Sequence, residues 1–163
     1  MKKLFLFAAV AVFGFTMNAQ EFKAGVNVGL PIGDAGDLTT FNVTLDLAYL
    51  WEMSEEFDLG VATGYSHSFG DEVDFGFGTV EVDDFQFIPV AAAARYAVSD
   101  KFKVGADLGY AVGLNDGNDG GFYYAPRVQY GVSESLDVVL AYRGVSLDGG
   151  SFDVITLGVE FGF

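Results

Sequence analysis

Ile155-Thr156-Leu157-Gly158-Val159-Glu160-Phe161-Gly162-Phe163 closes the chain, and large apolar residues alternate in it with small or charged ones. Successive side chains of a strand point to opposite faces. Ile155, Leu157, Val159, Phe161 and Phe163 therefore form one greasy row, and Thr156, Gly158, Glu160 and Gly162 form the other. Working back along the chain, Phe102, Val104, Ala106, Leu108, Tyr110 and Val112 oppose Lys103, Gly105, Asp107, Gly109 and Ala111. Phe41, Val43, Leu45, Leu47, Tyr49 and Trp51 oppose Asn42, Thr44, Asp46 and Ala48 in the same way. Eight such segments follow one another, at about 22–32, 41–53, 57–68, 85–98, 102–114, 122–133, 136–147 and 152–163, each ended by a short polar or glycine-rich break. A tilted strand crosses a bilayer in roughly 9 to 11 residues, so every segment is long enough to span.

Composition agrees with strands. The 163 residues include 22 Gly, 17 Phe and 8 Tyr but only 3 Pro, a length that fits one domain. Residues 1–19 read differently: Lys2 and Lys3 precede an unbroken apolar run from Leu4 to Phe15, then Thr16, Met17, Asn18 and the small Ala19. This is the pattern of a secretory signal peptide cut after Ala19, which leaves residues 20–163 as the mature domain. The run is too short for a spanning helix, which needs about 18 to 20 apolar residues. The formal net charge of −15 deepens to about −17 once the two leader lysines are removed, and such a chain repels nucleic acid. Without cysteine there are no disulfides and no thiolate metal sites.

Alternation alone does not say which row is buried, because a soluble lipocalin-like carrier would turn the apolar row inward. The aromatic residues favour the opposite orientation. With both termini in the periplasm, the apolar-row residue nearest that side is Phe22, Trp51, Phe57, Tyr96, Phe102, Tyr130 or Phe163 in seven segments, Leu136 being the exception. Rings collected at one level make a girdle at a lipid–water boundary. A looser set, Phe41, Tyr65, Tyr110, Tyr124 and Tyr142, falls toward the other end. The connections alternate too: Ser54-Glu55-Glu56, Ser99-Asp100-Lys101 and Ser133-Glu134-Ser135 are tiny, whereas residues 70–84 and 115–121 are long and acidic, with the short turn 148–151 as the exception. Short periplasmic turns and longer outer loops are the outer-membrane arrangement.

In strand number, turn pattern and the ending Gly158-Val159-Glu160-Phe161-Gly162-Phe163, the chain resembles the small outer-membrane barrels of the OmpA transmembrane domain and OmpX type. The resemblance implies an eight-stranded antiparallel up-and-down transmembrane β-barrel in the bacterial outer membrane. It also implies that Leu157, Val159, Phe161 and Phe163 serve as the assembly signal read by the outer-membrane assembly machinery.

Eight strands enclose a space just wide enough for their own side chains, which argues against a general porin. Strand parity sends Asn27, Asp46, Glu52, Asp58, Arg95, Lys103, Asp107, Arg127, Gln129, Arg143 and Glu160 inward, including all three arginines of the chain. An arginine facing lipid at mid-depth costs about 2–4 kcal/mol, and buried charges must be paired. The expectation is an interior ion-pair network among Asp46, Arg95, Asp107, Arg127, Arg143 and Glu160. Such a plugged barrel points to a structural or surface-interaction role in the envelope, in contact with outer-membrane lipid and lipopolysaccharide. The alternative is a narrow conduit for ions or small solutes.

Other constellations carry less. His67, the only histidine, lies between Ser66 and Ser68, but adjacent strand residues face opposite sides, so no nucleophile–base pair forms and no catalytic site is expected. Asn115-Asp116-Gly117-Asn118-Asp119-Gly120-Gly121 offers oxygen ligands for Ca²⁺ yet has no bidentate Glu at the right distance, and its composition is that of any turn. No metal or cofactor is expected. Asn42-Val43-Thr44 matches a glycosylation sequon by chance. In residues 71–84 the apolar residues Val73, Phe75, Phe77, Val80 and Val82 continue the alternation, which leaves two readings: an acidic hairpin that projects outward, turns near Gly78-Thr79 and is open to a surface partner, or a solvated acidic loop kept soluble by its charge.

Overall fold

The computed structural model describes residues 20–74 and 78–163; the leader 1–19 and the hairpin residues Phe75 and Phe77 lie outside the described residues. Eight long strands close a barrel: β1 (Gln20–Ile32), β2 (Thr39–Ser54), β3 (Phe57–Gly70), β6 (Phe85–Ala97), β7 (Phe102–Gly113), β8 (Gly121–Ser133), β9 (Leu136–Leu147) and β10 (Gly150–Gly162). Two short strands, β4 (Glu72–Asp74) and β5 (Thr79–Glu81), pair with each other outside the barrel wall. Each barrel strand lies antiparallel beside its sequence neighbour, and β1 pairs with β10 to close the ring. Closure removes every edge, so the backbone groups are satisfied within the wall.

The period-2 rows sort as the alternation requires. Leu45, Leu47, Leu108, Leu157 and Phe161 are exposed on the outer wall, whereas Arg127 and Arg143 are only 5% and 6% exposed, inside. The arrangement of a soluble carrier is thereby inverted. The β2–β3, β6–β7 and β8–β9 turns lie at one end of the barrel with Gln20 and Phe163, and we call this the terminal end. The other connections lie at the distal end: three longer ones and the tight Asp148–Gly149 turn between β9 and β10.

The 71–84 segment does form a hairpin, and Gly78 lies in the connection between its strands, but Thr79 does not. Thr79 pairs with Asp74 and Glu72 with Glu81, so Thr79 is already in β5. The hairpin base is tied down by Asp71 N–H donating to the Leu38 carbonyl (3.0 Å) and Val82 N–H to the Asp71 carbonyl (2.9 Å).

An apolar plug fills the lumen at the distal end. Phe87, Val145, Phe152 and Val154 are buried there with Ala111, and Phe152 stacks on Phe85 (centroids 5.0 Å) and tilts against Phe87 (5.4 Å). The 3₁₀ turn Gly33–Ala35 lays Ala35 onto this cluster, held by Thr39 Oγ1 donating to the Ala35 carbonyl at 2.7 Å. Burying one Phe is worth about 1.5–3 kcal/mol, so the plug is a substantial part of the core. It corrects the expectation that the inward row holds only small or charged residues. Parity counted back from Arg95 reaches Phe87, and from Glu160 reaches Val154 and Phe152.

Candidate functional site

Below the plug, the middle of the lumen is a chain of ion pairs. Arg143 on β9 reaches across the lumen to Asp46 on β2 in a two-pronged contact, Nη1 to Oδ1 at 3.0 Å and Nη2 to Oδ2 at 2.6 Å. Its Nε donates to Thr156 Oγ1 (3.0 Å) and its Nη1 to the Tyr123 hydroxyl (3.2 Å). Asp46 also accepts from Asn27 Nδ2 at 2.9 Å. Toward the terminal end, Asp107 on β7 accepts from Arg95 on β6 (2.6 Å) and from Arg127 on β8 (3.4 Å). Arg127 continues to Glu160 on β10 at 2.8 Å, and Gln129 Nε2 donates to the other oxygen of that carboxylate at 2.7 Å.

Glycine makes one of these contacts possible. Arg95 and Arg127 both pair in register with Gly105 of the strand between them. A Cβ on Gly105 would stand 2.5 Å from the Ala94 carbonyl oxygen and 2.7 Å from Arg95 Cδ. The missing side chain leaves the space in which Arg95 lies over Gly105 to reach Asp107, two residues further along β7.

The middle of the network is charge-balanced, three guanidinium groups facing three carboxylates. That balance is what makes burial tolerable, since an ion pair broken by removing one partner costs about 3–5 kcal/mol. The remaining inward-row residues fall elsewhere. Lys103 and Asp58 are partly exposed at the terminal mouth, and Glu52 is exposed outside the network. Two charged residues absent from the expected set are buried at this mouth: Lys23 sits 2.7 Å from Glu21 and 3.5 Å from Asp137, which Lys103 approaches at 3.8 Å. Both could have been read from parity, Lys23 lying two intervals before Asn27 and Asp137 three before Arg143.

On the outer wall at the terminal end, Phe22, Trp51, Tyr96, Phe102 and Tyr130 are exposed, and Phe57 is half-buried. Phe102 sits beside Tyr130 and Phe57 beside Tyr96 in register, and the Phe22 and Phe163 rings lie 6.1 Å apart. Leu157, Phe161 and Phe163 are exposed and Val159 is half-buried on the β10 outer row, and Phe163 N–H donates to the Phe22 carbonyl at 2.9 Å.

His67 faces outward near the distal rim. Its Nδ1 lies 3.0 Å from the Tyr65 hydroxyl and its Nε2 2.8 Å from Asp84 Oδ2, while Asp84 Oδ1 accepts the Gly70 N–H at 2.9 Å. Asp84 thus clips both ends of the hairpin segment to the barrel. The Gly70 N–H, and then His67, hold its carboxyl below the ordinary carboxylate range. Ser66 and Ser68 point the other way and accept from Asn42 Nδ2 at 2.9 and 2.8 Å. In the 115–121 turn, the Asn118 amide donates to Asn115 Oδ1 (3.1 Å) and to the Gln86 carbonyl of β6 (3.3 Å) and accepts from the Gly120 N–H (3.2 Å).

An antiparallel closed barrel with a greasy exterior and a paired-charge interior is the architecture of a membrane-spanning β-barrel. The family model for outer membrane protein beta-barrel domains matches residues 5–163, and the chain belongs to that family. No curated protein matches it by sequence. Among solved structures it is similar to Ail, the attachment invasion locus protein of Yersinia pestis, at 17% identity over 90% of this chain and 100% of that one, TM-score 0.60. It is also similar to a de novo designed transmembrane β-barrel (15% identity, 91% and 100% covered, TM-score 0.54). A third is the N-terminal β-barrel domain of Pseudomonas aeruginosa OprF (14% identity, 88% and 97% covered, TM-score 0.50). At these identities the likeness is one of fold.

Proposed function

We propose that this chain is a non-enzymatic, surface-exposed protein of the outer membrane with a structural or interaction role, exported by its leader 1–19. In this reading both termini are in the periplasm, and the distal loops form its working surface. The Phe22–Trp51–Tyr130 ring of aromatics marks the periplasmic lipid boundary, and the Leu157–Phe163 row engages the assembly machinery. One observation carries the reading. The distal loops hold eleven acidic residues, two in 33–38, six in 71–84, two in 114–120 and Asp148, and not one lysine or arginine. Every mature basic residue is in the lumen or at the terminal end.

Such a crown attracts cationic groups, either basic patches on a partner or divalent ions that bridge its carboxylates to lipopolysaccharide phosphates. Ail has been solved with the heparin analogue sucrose octasulfate; a polyanion of that kind would be repelled here. The conduit reading is disfavoured by the Phe87–Phe152 plug stacked above a closed ion-pair layer.

Adhesion of bacterial cells producing the full chain, compared with cells producing a chain lacking residues 72–83, tests the proposal. Outer-membrane abundance is matched by heat-modifiable gel mobility. Reduced adhesion on deletion is the expected result, and equal adhesion would remove the hairpin from any binding role.

A further inference from the structure

The β1–β2 connection caps the distal end of the lumen, and that cap is tied to the base of the β4–β5 hairpin. It lies against β10 and lays Ala35, 1% exposed, on the Phe87–Phe152–Val154 plug. Within the cap the Gly36 N–H donates to the Gly33 carbonyl (2.9 Å), and the Leu38 N–H (3.3 Å) joins Thr39 Oγ1 on the Ala35 carbonyl. Ala35 is the buried residue of the 3₁₀ turn. A single methyl group has little apolar area, so burial alone holds the cap weakly.

Asp71 is the joint between cap and hairpin. Its N–H donates to the Leu38 carbonyl and its carbonyl accepts the Val82 N–H, so backbone hydrogen bonds run in series from Val82 to Asp71, to Leu38 and on to Ala35. The joint is tight, since a Cβ on Gly70 would overlap the Val82 carbonyl. Asp84 clamps it from the other side by accepting the Gly70 N–H and engaging His67. The β7–β8 turn is anchored differently, on β6, where the Leu114 N–H and Asn118 Nδ2 both donate to the Gln86 carbonyl. Local opening in a folded chain occurs in cooperative units that share such bonds.

We propose that the hairpin base is a strap on the lumen cap: while Asp71 is bonded to Leu38, residues 33–38 stay closed over the apolar plug, and freeing that joint lifts them from it. Anything that grips or displaces the hairpin therefore acts on the mouth of the lumen as well. The strap needs no bound partner, so it stands or falls separately from the surface role proposed above.

Hydrogen exchange of the refolded mature barrel in phospholipid nanodiscs reads it directly. In the parent, the Gly36, Leu38, Asp71 and Val82 amides are expected to open as one unit, with a common dependence on added urea. The Asn118 amide, bonded to the Asn115 carbonyl at 3.1 Å, should open separately. Asp71→Pro deletes the N–H given to Leu38 and leaves the Gly36 and Leu38 donors and their acceptors in place. It should speed exchange at both amides by about tenfold, the upper worth of one backbone hydrogen bond. Asp71→Ala keeps both backbone bonds and removes only the carboxylate that accepts the Glu72 N–H, so both rates should stay as in the parent. Rates at Gly36 and Leu38 that Asp71→Pro does not move overturn the proposal, and so does an equal acceleration in Asp71→Ala. The parent measurement decides without either variant: different urea dependences among the four amides would show that cap and hairpin move independently.

Discussion

Replacing Asp46 with leucine would strand the Arg143 guanidinium in the lumen. Among the described residues Asp46 is the only carboxylate hydrogen-bonded to it, engaged through both oxygens at 3.0 and 2.6 Å, and its other hydrogen-bond partners are neutral: the Thr156 and Tyr123 hydroxyls. A buried pair broken on one side costs about 3–5 kcal/mol. The two surviving hydroxyl contacts put this case at the lower end, and about 3 kcal/mol corresponds to roughly a 150-fold loss in the folding equilibrium. Arg143→Met should cost a similar amount, since it leaves Asp46 with Asn27 alone. The double variant Asp46→Leu/Arg143→Met removes both charges and leaves apolar groups of similar reach, so it should be more stable than either single variant. The assay is reversible urea unfolding in phospholipid vesicles, followed by the fluorescence of Trp51, the only tryptophan, which lies exposed on the outer wall. A double variant destabilised by the sum of the singles, about 6 kcal/mol, would show that the residues do not act as a pair. Singles indistinguishable from the parent would show that the lumen is wet enough to screen them.

The other expectations follow from neighbouring details. Gly105→Ala should destabilise by about 1–3 kcal/mol in the same assay, and more than Gly25→Ala, whose added Cβ would meet nothing closer than 3.1 Å; equal effects would contradict the placement of Arg95 over Gly105. The Gly70 N–H, and then His67, hold the folded Asp84 carboxyl below the pKa of an ordinary aspartate, so its clip contributes stability that is complete above the ordinary value and lost as pH falls through the lower, folded one. The Gly70 amide resonance, followed from pH 7 downward, should titrate with a midpoint below that of an ordinary aspartate, and a midpoint at or above it would refute the assignment. In planar bilayers the purified barrel should give no steady unitary currents; stable currents altered by Arg127→Gln would reopen the conduit reading.

Much of the barrel was legible in the chain because its decisive signal is local. Alternation with a period of two assigns a face to every residue of a strand from its neighbours alone. It placed Arg95, Arg127 and Arg143 on one side and Leu108, Leu157 and Phe161 on the other without knowledge of any pairing. The turns were legible for the same reason, since Ser99-Asp100-Lys101 and Ser133-Glu134-Ser135 are short and polar in the sequence itself. The start of β5 at Thr79 was not legible, because an alternating acidic and apolar run has no strong turn signal, and only the pairing of Asp74 with Thr79 locates the strand.

Sequence by itself determined the strand count, the two faces and the inward turn of all the arginines, because these depend only on which residue follows which. Tertiary structure alone decided the partners. Asp46 and Arg143 are separated by 97 residues and stand on strands that do not touch in the wall. Their meeting depends on how the ring closes through β1 and β10 and on the stagger of each strand against the next. Lys23 reaches Asp137, and Phe87 reaches Phe152, by the same closure, and no local pattern encodes a distance across the lumen.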